Sequence, residues 1–576
     1  MNDSGLFNSV WSLLAKAERR RALVMSVYLV VGVVLEVMSV GALVPLIRVL
    51  TQSNLQSKYP LIDRMFPNSS DQFIVMVVLV GVICIFLFKE IFLGFSLWIQ
   101  RGFIARLETR FQTELFDRYT CQPFEFHLTN NSSLLSRNIL NSTNFVNNVL
   151  NPIFVLLTDG FVTIALCAAL VVIEPIAMFV TICSVGAVAA VLHGFSKQRI
   201  ERWGVERQLQ DGMKLQQMNE TFGGMKEIVM TGRGDYFRTR FSSNIRQLSH
   251  LSRKFTTLLG IPQLYLELLS VVGLAALVLS MLALGRTSES LLPLLALFVG
   301  GAFRLMPAIN RITIAFQSLR MGRPIVGVLH ADILRVASSE PTVENSKATQ
   351  FEHVIRFENV TYSYPDTERI VIDGVSFEIK KGYKVGIIGT TGAGKSTLVD
   401  ILLGLLKPTR GKVTVDGVDI STNIRSWQDL VGYVPQTIFL LDSSIRTNIA
   451  FGIVENEIDD EKVLRALDLA QLREFVDELP NGINELVGER GVRISGGQRQ
   501  RIGIARALYL DPQILVFDEA TSALDVETEK ELMKSLGHLR SNKTILIVTH
   551  RISALEHCDE TIKIDNGMIS DSKSST

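Results

Sequence analysis

Cysteine is scarce: Cys84, Cys121, Cys167, Cys183 and Cys558 are the only five in 576 residues. None is paired by a close spacing, so neither a disulfide framework nor a thiolate metal site is expected. Three lie in apolar runs and read as buried thiols. Charge of one sign is also missing: 58 Lys and Arg against 57 Asp and Glu leave a net charge of +1, so nothing points to the basic surface of a nucleic-acid binder. The first residues show no short apolar core followed by a cleavage site, so no removable signal peptide is expected. Apolar residues, in contrast, are abundant. They make up 47% of the chain against 20% charged, with a mean hydropathy of +0.28. That is too apolar for a wholly soluble chain and too charged for a wholly membrane-embedded one. A chain in two parts is expected.

The second part is organised around Gly389-Thr390-Thr391-Gly392-Ala393-Gly394-Lys395-Ser396-Thr397. Gly, four residues, then Gly-Lys-Ser is the phosphate-binding loop pattern. A strand over 383–388 precedes it and a helix over 396–406 follows, the context the pattern requires. Glycines let backbone N–H groups approach phosphate oxygens with no Cβ in the way, and the helix start points its positive end at the same anion. Lys395 would sit on the β- and γ-phosphates of a bound nucleotide and Ser396 on Mg²⁺.

The first part begins with Phe7, Val10, Trp11 and Leu14 at helical spacing, then Lys16 and Arg19-Arg20-Arg21. This predicts a helix lying on the cytosolic leaflet, with a soluble amphipathic helix as the alternative. Apolar runs follow at 22–50, 73–100, 149–173, 175–195, 258–284 and 291–313, each long enough for the roughly 20 residues of a membrane span. Arg and Lys crowd the proposed inner ends, which places both termini in the cytosol. The long polar stretches 101–148 and 196–257 keep a helical pattern and predict spans that continue into the cytosol. Their tips break at Gln122-Pro123-Phe124 and at Phe222-Gly223-Gly224. Exposed aromatics there suit docking, against the alternative of a solvated loop. The loop 51–72 carries Leu61, Ile62, Met65 and Phe66 on one face, a small outer helix or a plain lid. Glu36, Lys89, Glu90, Asp159, Glu267 and Arg304 fall inside spans, where each facing lipid would cost roughly 2.5–3.5 kcal/mol. They should face one another or a wet cavity. Arg304 and Lys89 could attract an anionic head group; an internal ion-pair network is the alternative.

After a polar, aperiodic stretch at 338–350 the pattern becomes soluble α/β. Strands are expected over 356–362 and 371–379, followed by Tyr364, whose ring could stack on a purine. Gln436 ends a further strand. Ser495-Gly496-Gly497-Gln498 opens a helix over 499–510, and Ile514-Leu515-Val516-Phe517-Asp518-Glu519 is an apolar strand delivering two carboxylates. Asp518 would hold Mg²⁺ and Glu519 would act as general base. A last strand ends at His550.

In order and spacing these motifs resemble the nucleotide-binding domain of ABC transporters over about 351–570. The first half resembles the six-helix membrane domain of ABC exporters of the type IV half-transporter kind. The resemblance implies a fold of a six-span α-helical membrane domain (1–335), a linker (336–350) and an α/β P-loop ATP-binding cassette (351–576). It implies that Tyr364 stacks on adenine and that Gln436 ligates Mg²⁺ together with Ser396 and Asp518. Ser495 to Gln498 then form the signature motif, with Ile494 where leucine is usual. Glu519 is the base, Asp525 the D-loop residue, His550 the switch histidine, and 122–136 and 219–232 the coupling helices. ATP would lie between the phosphate loop of one copy and the signature motif of a second, so a homodimer is expected in a bacterial cytoplasmic membrane, with a heterodimer as the alternative. Residues 303–312 and 262–267, with the outer loop, resemble bacterial flippases of polyprenyl-pyrophosphate-linked oligosaccharides of the PglK type. That makes Arg304, Lys89, Arg311 and Glu267 candidate substrate residues. The alternatives are an exporter of lipopolysaccharide precursors or of drugs, and an ATP-gated channel or regulatory ATPase.

Overall fold

The computed structural model describes residues 3–42, 45–46, 49, 71–173, 175–283, 288–337, 349–365, 367–488, 491–520, 527, 543–550, 555 and 558–574. The outer loop 51–70, most of the linker, and Asp525 lie outside the described residues. The chain packs as two compact units: Met1–Gln122 with Asn130–Glu340, and Pro123–Thr129 with Pro341–Thr576.

The first unit is helical throughout. Helices α1 (Asp3–Leu13) and α2 (Lys16–Gly41) are followed by α3 (Asp71–Thr120). After α4 (Phe124–Thr129), which belongs to the other unit, come α5 (Ser132–Phe145) and α6 (Asn151–Ile173). Then follow α7 (Pro175–Gly223), α8 (Met225–Thr231), α9 (Gly234–Ala283) and α10 (Ser288–Ala337). Helix α3 has 50 residues, or about 75 Å at 1.5 Å per residue, far beyond a hydrocarbon core of about 30 Å. Its polar C-terminal half must therefore leave the bilayer, as the sequence pattern predicts. Among the described residues, four helical segments are long and apolar enough to cross a membrane: Lys16–Gly41, Gln72–Thr120, Ser132–Val172 and Gly234–Ala275. Helices α7 and α10 run through the two remaining apolar stretches.

Outside the apolar bands the helices are tied by rings and polar side chains. Phe111 of α3 meets Phe145 of α5 edge-on, with centroids 5.4 Å apart. Asp332 Oδ2 of α10 accepts from Tyr119 Oη at 2.7 Å and from Asn138 Nδ2 at 2.8 Å. A single π turn, Val146–Leu150, joins α5 to α6. Helix α10 presses on this turn at Gly322, where a Cβ would lie 2.7 Å from Val149 Cγ2. No larger residue fits that crossing.

Two sequence expectations need correction here. Val10, Leu13 and Leu14 are buried within the protein, and Arg19 Nε donates to Leu14 O at 3.0 Å. Helix α1 is thus seated on protein through the face expected to meet lipid. The cysteines are not all buried: Cys84, Cys121 and Cys183 are exposed, Cys167 is intermediate and only Cys558 is buried. A membrane helix has no reason to hide a small apolar side chain, because lipid solvates it as well as a core does.

The second unit holds two sheets. Strands β1 (Val354–Ser363), β2 (Ile370–Lys380), β4 (Arg410–Val415) and β5 (Val418–Asp419) form an antiparallel sheet in the order β2-β1-β4-β5. The other sheet runs β10-β9-β3-β8-β7-β6. It comprises β3 (Lys384–Gly389), β6 (Val431–Val434), β7 (Ile514–Asp518), β8 (Thr544–Val548), β9 (Glu560–Asp565) and β10 (Met568–Ser574). All its pairings are parallel except that of β10 with β9. Strands β7 and β8 are buried at every position, as parallel strands covered on both faces must be. Leu515, Phe517, Ile545 and Ile547 face a core shared with α12 (Gly496–Tyr509). Ile514, Val516, Leu546 and Val548 face a second core shared with α11 (Lys395–Leu402).

Trp427 anchors this second core. It is fully buried and its indole N–H donates to Leu402 O at 2.7 Å, closing the end of α11. Trp427→Ala should lower unfolding stability by about 3–5 kcal/mol. Trp427→Phe, which keeps most of the packing and loses the donor, should cost about 1–3 kcal/mol. Denaturant unfolding of the full chain followed by cassette-specific proteolysis measures both, and equal losses for the two variants would contradict this assignment.

Candidate nucleotide site

In open parallel sheets ligands bind beyond the carboxyl ends of the strands, and here four such ends carry the sequence-predicted residues. Ile387 of β3 pairs with Val548 of β8, and Val548 pairs with Asp518 of β7. Val434 of β6 pairs with Phe517. The next few residues of each strand therefore emerge on one edge: Gly389 and the loop after β3, Gln436 after β6, Glu519 after β7 and His550 after β8.

The glycine loop is shaped by its neighbours. Gly394 has φ +100° and caps α11 from the left-handed region. A Cβ on Gly389 would lie 2.3 Å from Ile564 O, so the loop can close on β9 only with glycine there. Thr390, Thr391 and Gly392 are exposed at its crest, while Ala393, Lys395 and Thr397 are buried. Lys395 Nζ donates to Gly389 O at 2.9 Å and to Thr390 O at 3.0 Å. Burial lowers the Lys395 pKa, while Glu519 and Asp518 act in the opposite direction. The ammonium is thus clipped to the crest of the loop, facing two carboxylates.

Glu519 is the centre of the polar cluster. It adopts φ +49°, a conformation that costs a non-glycine residue of order 1–3 kcal/mol and marks functional positions. Its backbone N–H donates to Val548 O at 2.9 Å. Its carboxylate accepts from Gln436 Nε2 at 2.6 Å and contacts His550 Nε2 at 2.7 Å. Gln436, Glu519 and His550, 114 residues apart in the chain from first to last, are brought within hydrogen-bond reach. Asp518 is buried, and its pKa is raised by burial and by Glu519, with Lys395 and a hydrogen bond from Tyr433 opposing.

Tyr364 lies beside the loop as well, its hydroxyl 3.1 Å from Thr397 Oγ1 and its ring edge-on to Tyr362. Ser495 caps α12: its hydroxyl accepts from Gln498 N at 3.2 Å and its N–H donates to Gln498 Oε1 at 2.8 Å. Ser495 and Gly496 are exposed and Gly497 and Gln498 partly so.

The residues present fit Mg²⁺. Mg²⁺ is bound by one or two carboxylates together with substrate phosphates and waters, seldom by a cage of protein ligands. Among the described residues no group of three His, Cys, Asp or Glu gathers, yet burial and the neighbouring Glu519 disfavour an uncompensated charge on Asp518, and Ser396 is exposed at the first turn of α11. Asp518, Ser396 and Gln436 would hold the ion, which would neutralise phosphate charge.

Two residues escaped the sequence reading. Tyr433 donates to Asp518, and burial and Asp518 push its pKa up. Asp400 faces the same carboxylate. Its spacing four residues beyond Ser396 on α11 was the available signal, since i and i+4 share a helix face. The substrate candidates lie in the membrane unit. Arg304 Nη2 donates to Glu36 Oε2 at 2.8 Å, and Lys89 Nζ lies 3.6 Å from Glu36 Oε1 and 2.9 Å from Glu90 Oε1. Arg311 forks onto Asp159 with two bonds of 2.7 Å. These pairs form the internal network that the sequence left as an alternative, while Glu267 is exposed.

Comparison with known proteins agrees with this architecture. A family model for the ABC transporter domain matches residues 372–522, and one for the ABC transporter transmembrane region matches residues 27–299. The chain is 30% identical, over 88% of its length and 86% of the relative's, to an ATP-dependent lipid A-core flippase of Bordetella avium. It is 33% identical to the protein of the same name from Methylobacillus flagellatus, an alignment spanning 61% of this chain and 59% of the relative. A bacterial Atm1-family ABC exporter solved with ATP bound shares the fold, with a TM-score of 0.75 and 23% identity over 97% of this chain and 96% of that one. The chain belongs to the ABC transporter family. It joins an exporter-type membrane domain to an ATP-binding cassette, and it is an ATPase coupled to transport.

Burial, and then Asp518, raise the pKa of Asp400 from 3.8 to about 6. Between those values the folded state binds more protons than the unfolded one, so this group's contribution falls as pH rises from about 4 to 6 and its cost is full above that. In chelator, Asp400→Asn should gain stability relative to the parent at pH 7.5 and show little gain at pH 4.5. Thermal midpoints of the full chain across that range test this; a pH-independent difference would remove the assigned shift.

Proposed function

We propose that the protein is a lipid flippase. It uses ATP to move an anionic, large-headed lipid of the lipopolysaccharide-precursor class from the inner to the outer leaflet of a bacterial cytoplasmic membrane. The observation that carries this reading is the pairing in the membrane unit: Lys89 and Arg304 share Glu36, a carboxylate only 1% exposed. Lys89 is also held by Glu90 at 2.9 Å, so the cation left to turn toward a phosphate is Arg304, whose side chain is 33% exposed. Both relatives named above are lipid A-core flippases, which favours the lipopolysaccharide-precursor reading over the polyprenyl-pyrophosphate-linked oligosaccharide expected from residues 303–312 and 262–267. An anionic phosphate head is common to both substrates.

The working unit is a homodimer. Helices α11 and α12 pack on opposite faces of one sheet, so a nucleotide on Lys395 is supported from one layer while Ser495 opens the other. A second copy bringing its own exposed Ser495–Gln498 completes the site. Phe222, Val229 and Met230 around α8 are exposed, an apolar tip suited to docking on that second copy. Both termini are assigned to the cytosol, a reading that the basic inner ends of the spans support. Mg²⁺ is held by Ser396, Gln436 and Asp518, Tyr364 contacts the adenine, and Asp525 serves the dimer contact. Glu519 acts as general base toward water, oriented by Gln436 and His550.

Glu519→Gln keeps the shape and loses the base. It should retain ATP binding, lower turnover by about 10²–10⁴-fold and trap the closed dimer, read by nucleotide occlusion and crosslinking. Retained turnover would exclude Glu519 as base. The lipid reading is tested by translocation in proteoliposomes holding lipid A-core lipid, a polyprenyl-pyrophosphate glycan or a neutral glycolipid. Lipid A-core should be moved best, and Arg304→Ala should cut lipid moved per ATP about tenfold or more, the scale of a charge-assisted hydrogen bond. Movement of the neutral lipid at the same rate would sink the anionic-head reading, and preference for the polyprenyl glycan would shift it to the oligosaccharide.

A further inference from the structure

Helix α4 follows α3 by three residues and precedes α5 by two, yet it packs in the same compact unit as the cassette. None of its six residues is buried, so apolar burial does little to hold it there. Its attachment is polar. Glu125 Oε1 accepts from Tyr362 Oη at 3.3 Å and from the backbone N–H of Lys407 at 3.4 Å. One carboxylate oxygen thus joins α4 to the end of β1 and to the segment between α11 and β4.

Tyr362 is held in place on the cassette side. It is 2% exposed and shares a core with Ile372 and Val548, so its ring cannot turn away without opening that core. Burial, and then the Glu125 carboxylate, raise its pKa, which keeps the phenol protonated and the donor in the bond. The ring of Tyr362 meets that of Tyr364 edge-on, with centroids 5.2 Å apart and planes at 84°, an attractive arrangement for two aromatic quadrupoles. The hydroxyl of Tyr364 lies 3.1 Å from Thr397 Oγ1 in the first turn of α11. Tyr364 therefore has two supports: its hydroxyl rests on the helix after the phosphate loop, and its ring rests on Tyr362. A base can stack on Tyr364 only at the tilt these two supports allow.

We propose that Tyr362 and Glu125 are positioning residues for nucleotide binding: Glu125 holds Tyr362, Tyr362 sets the tilt of the Tyr364 ring, and affinity for the base depends on where α4 is seated. The effect falls on the adenine end of the nucleotide and not on its phosphates. By linkage, ATP favours the seated α4 by the same factor as the seated α4 favours ATP. The proposal rests on the reading of Tyr364 as the adenine contact.

The test uses the full chain in lipid nanodiscs and two probes, ATP and inorganic tripolyphosphate, which carries the phosphates without a base. Displacement of a fluorescent ATP analogue gives both affinities. Tyr362→Phe and Glu125→Ala should each weaken ATP by about three- to fivefold, the scale of one hydrogen bond, and leave tripolyphosphate binding unchanged. The double variant should lose no more than either single one, because both remove the same bond. Glu125→Gln keeps an acceptor and should recover most of the loss. Equal weakening of ATP and tripolyphosphate would assign both residues to the fold of the phosphate loop and overturn the proposal. Additive losses in the double variant would overturn the shared bond. Tyr364→Ala separates the two readings. Unchanged ATP affinity in that variant removes the adenine contact and the proposal with it. A base-specific loss in Tyr364→Ala, with Tyr362→Phe and Glu125→Ala both matching the parent, removes the positioning role alone.

Discussion

The register of the parallel sheet is the constraint on which the ATP chemistry depends. Ile387, Val548 and Asp518 stand side by side across three strands. A one-residue slip of β7 would turn Asp518 toward the opposite core and carry Glu519 away from the backbone of Val548, because strand side chains alternate faces. Register is strongly specified here. Every residue of β7 and β8 is buried, and the alternate side chains fill two different hydrophobic cores, so neither face tolerates an exchange. The carboxylates thus emerge at a fixed height above the glycine loop. The backbone bond from Glu519 to Val548 and the left-handed turn at Glu519 finish the placement.

Much of this was legible in the sequence because the cassette is written in local signals. The glycine loop, the apolar strand ending in Asp518-Glu519 and the capped start at Ser495 each specify their own backbone, and their order specifies the sheet. What could not be read was convergence without local spacing. Nothing in the pattern around Tyr433 announces a bond to Asp518, and Gln436 meets Glu519 only because β6 and β7 are neighbours. The membrane unit was legible in length and poor in direction. In a soluble helix the apolar stripe names the buried face. In a span both lipid and protein accept Leu and Val, so Leu14 could be assigned to lipid and Cys84 to the interior, each opposite to the structure.

Charge restores direction where hydropathy loses it. A lone carboxylate or ammonium inside a span is costly enough that each must find a partner, and Glu36 finds two, on helices α3 and α10. Breaking a buried pair by removing one member typically costs about 3–5 kcal/mol. A shared carboxylate softens this, since Glu36 keeps a cation when the other is drawn away. Lys89 is better placed to stay, being 5% exposed, whereas the side chain of Arg304 is 33% exposed. The arrangement holds three helices together and leaves one guanidinium partly exposed.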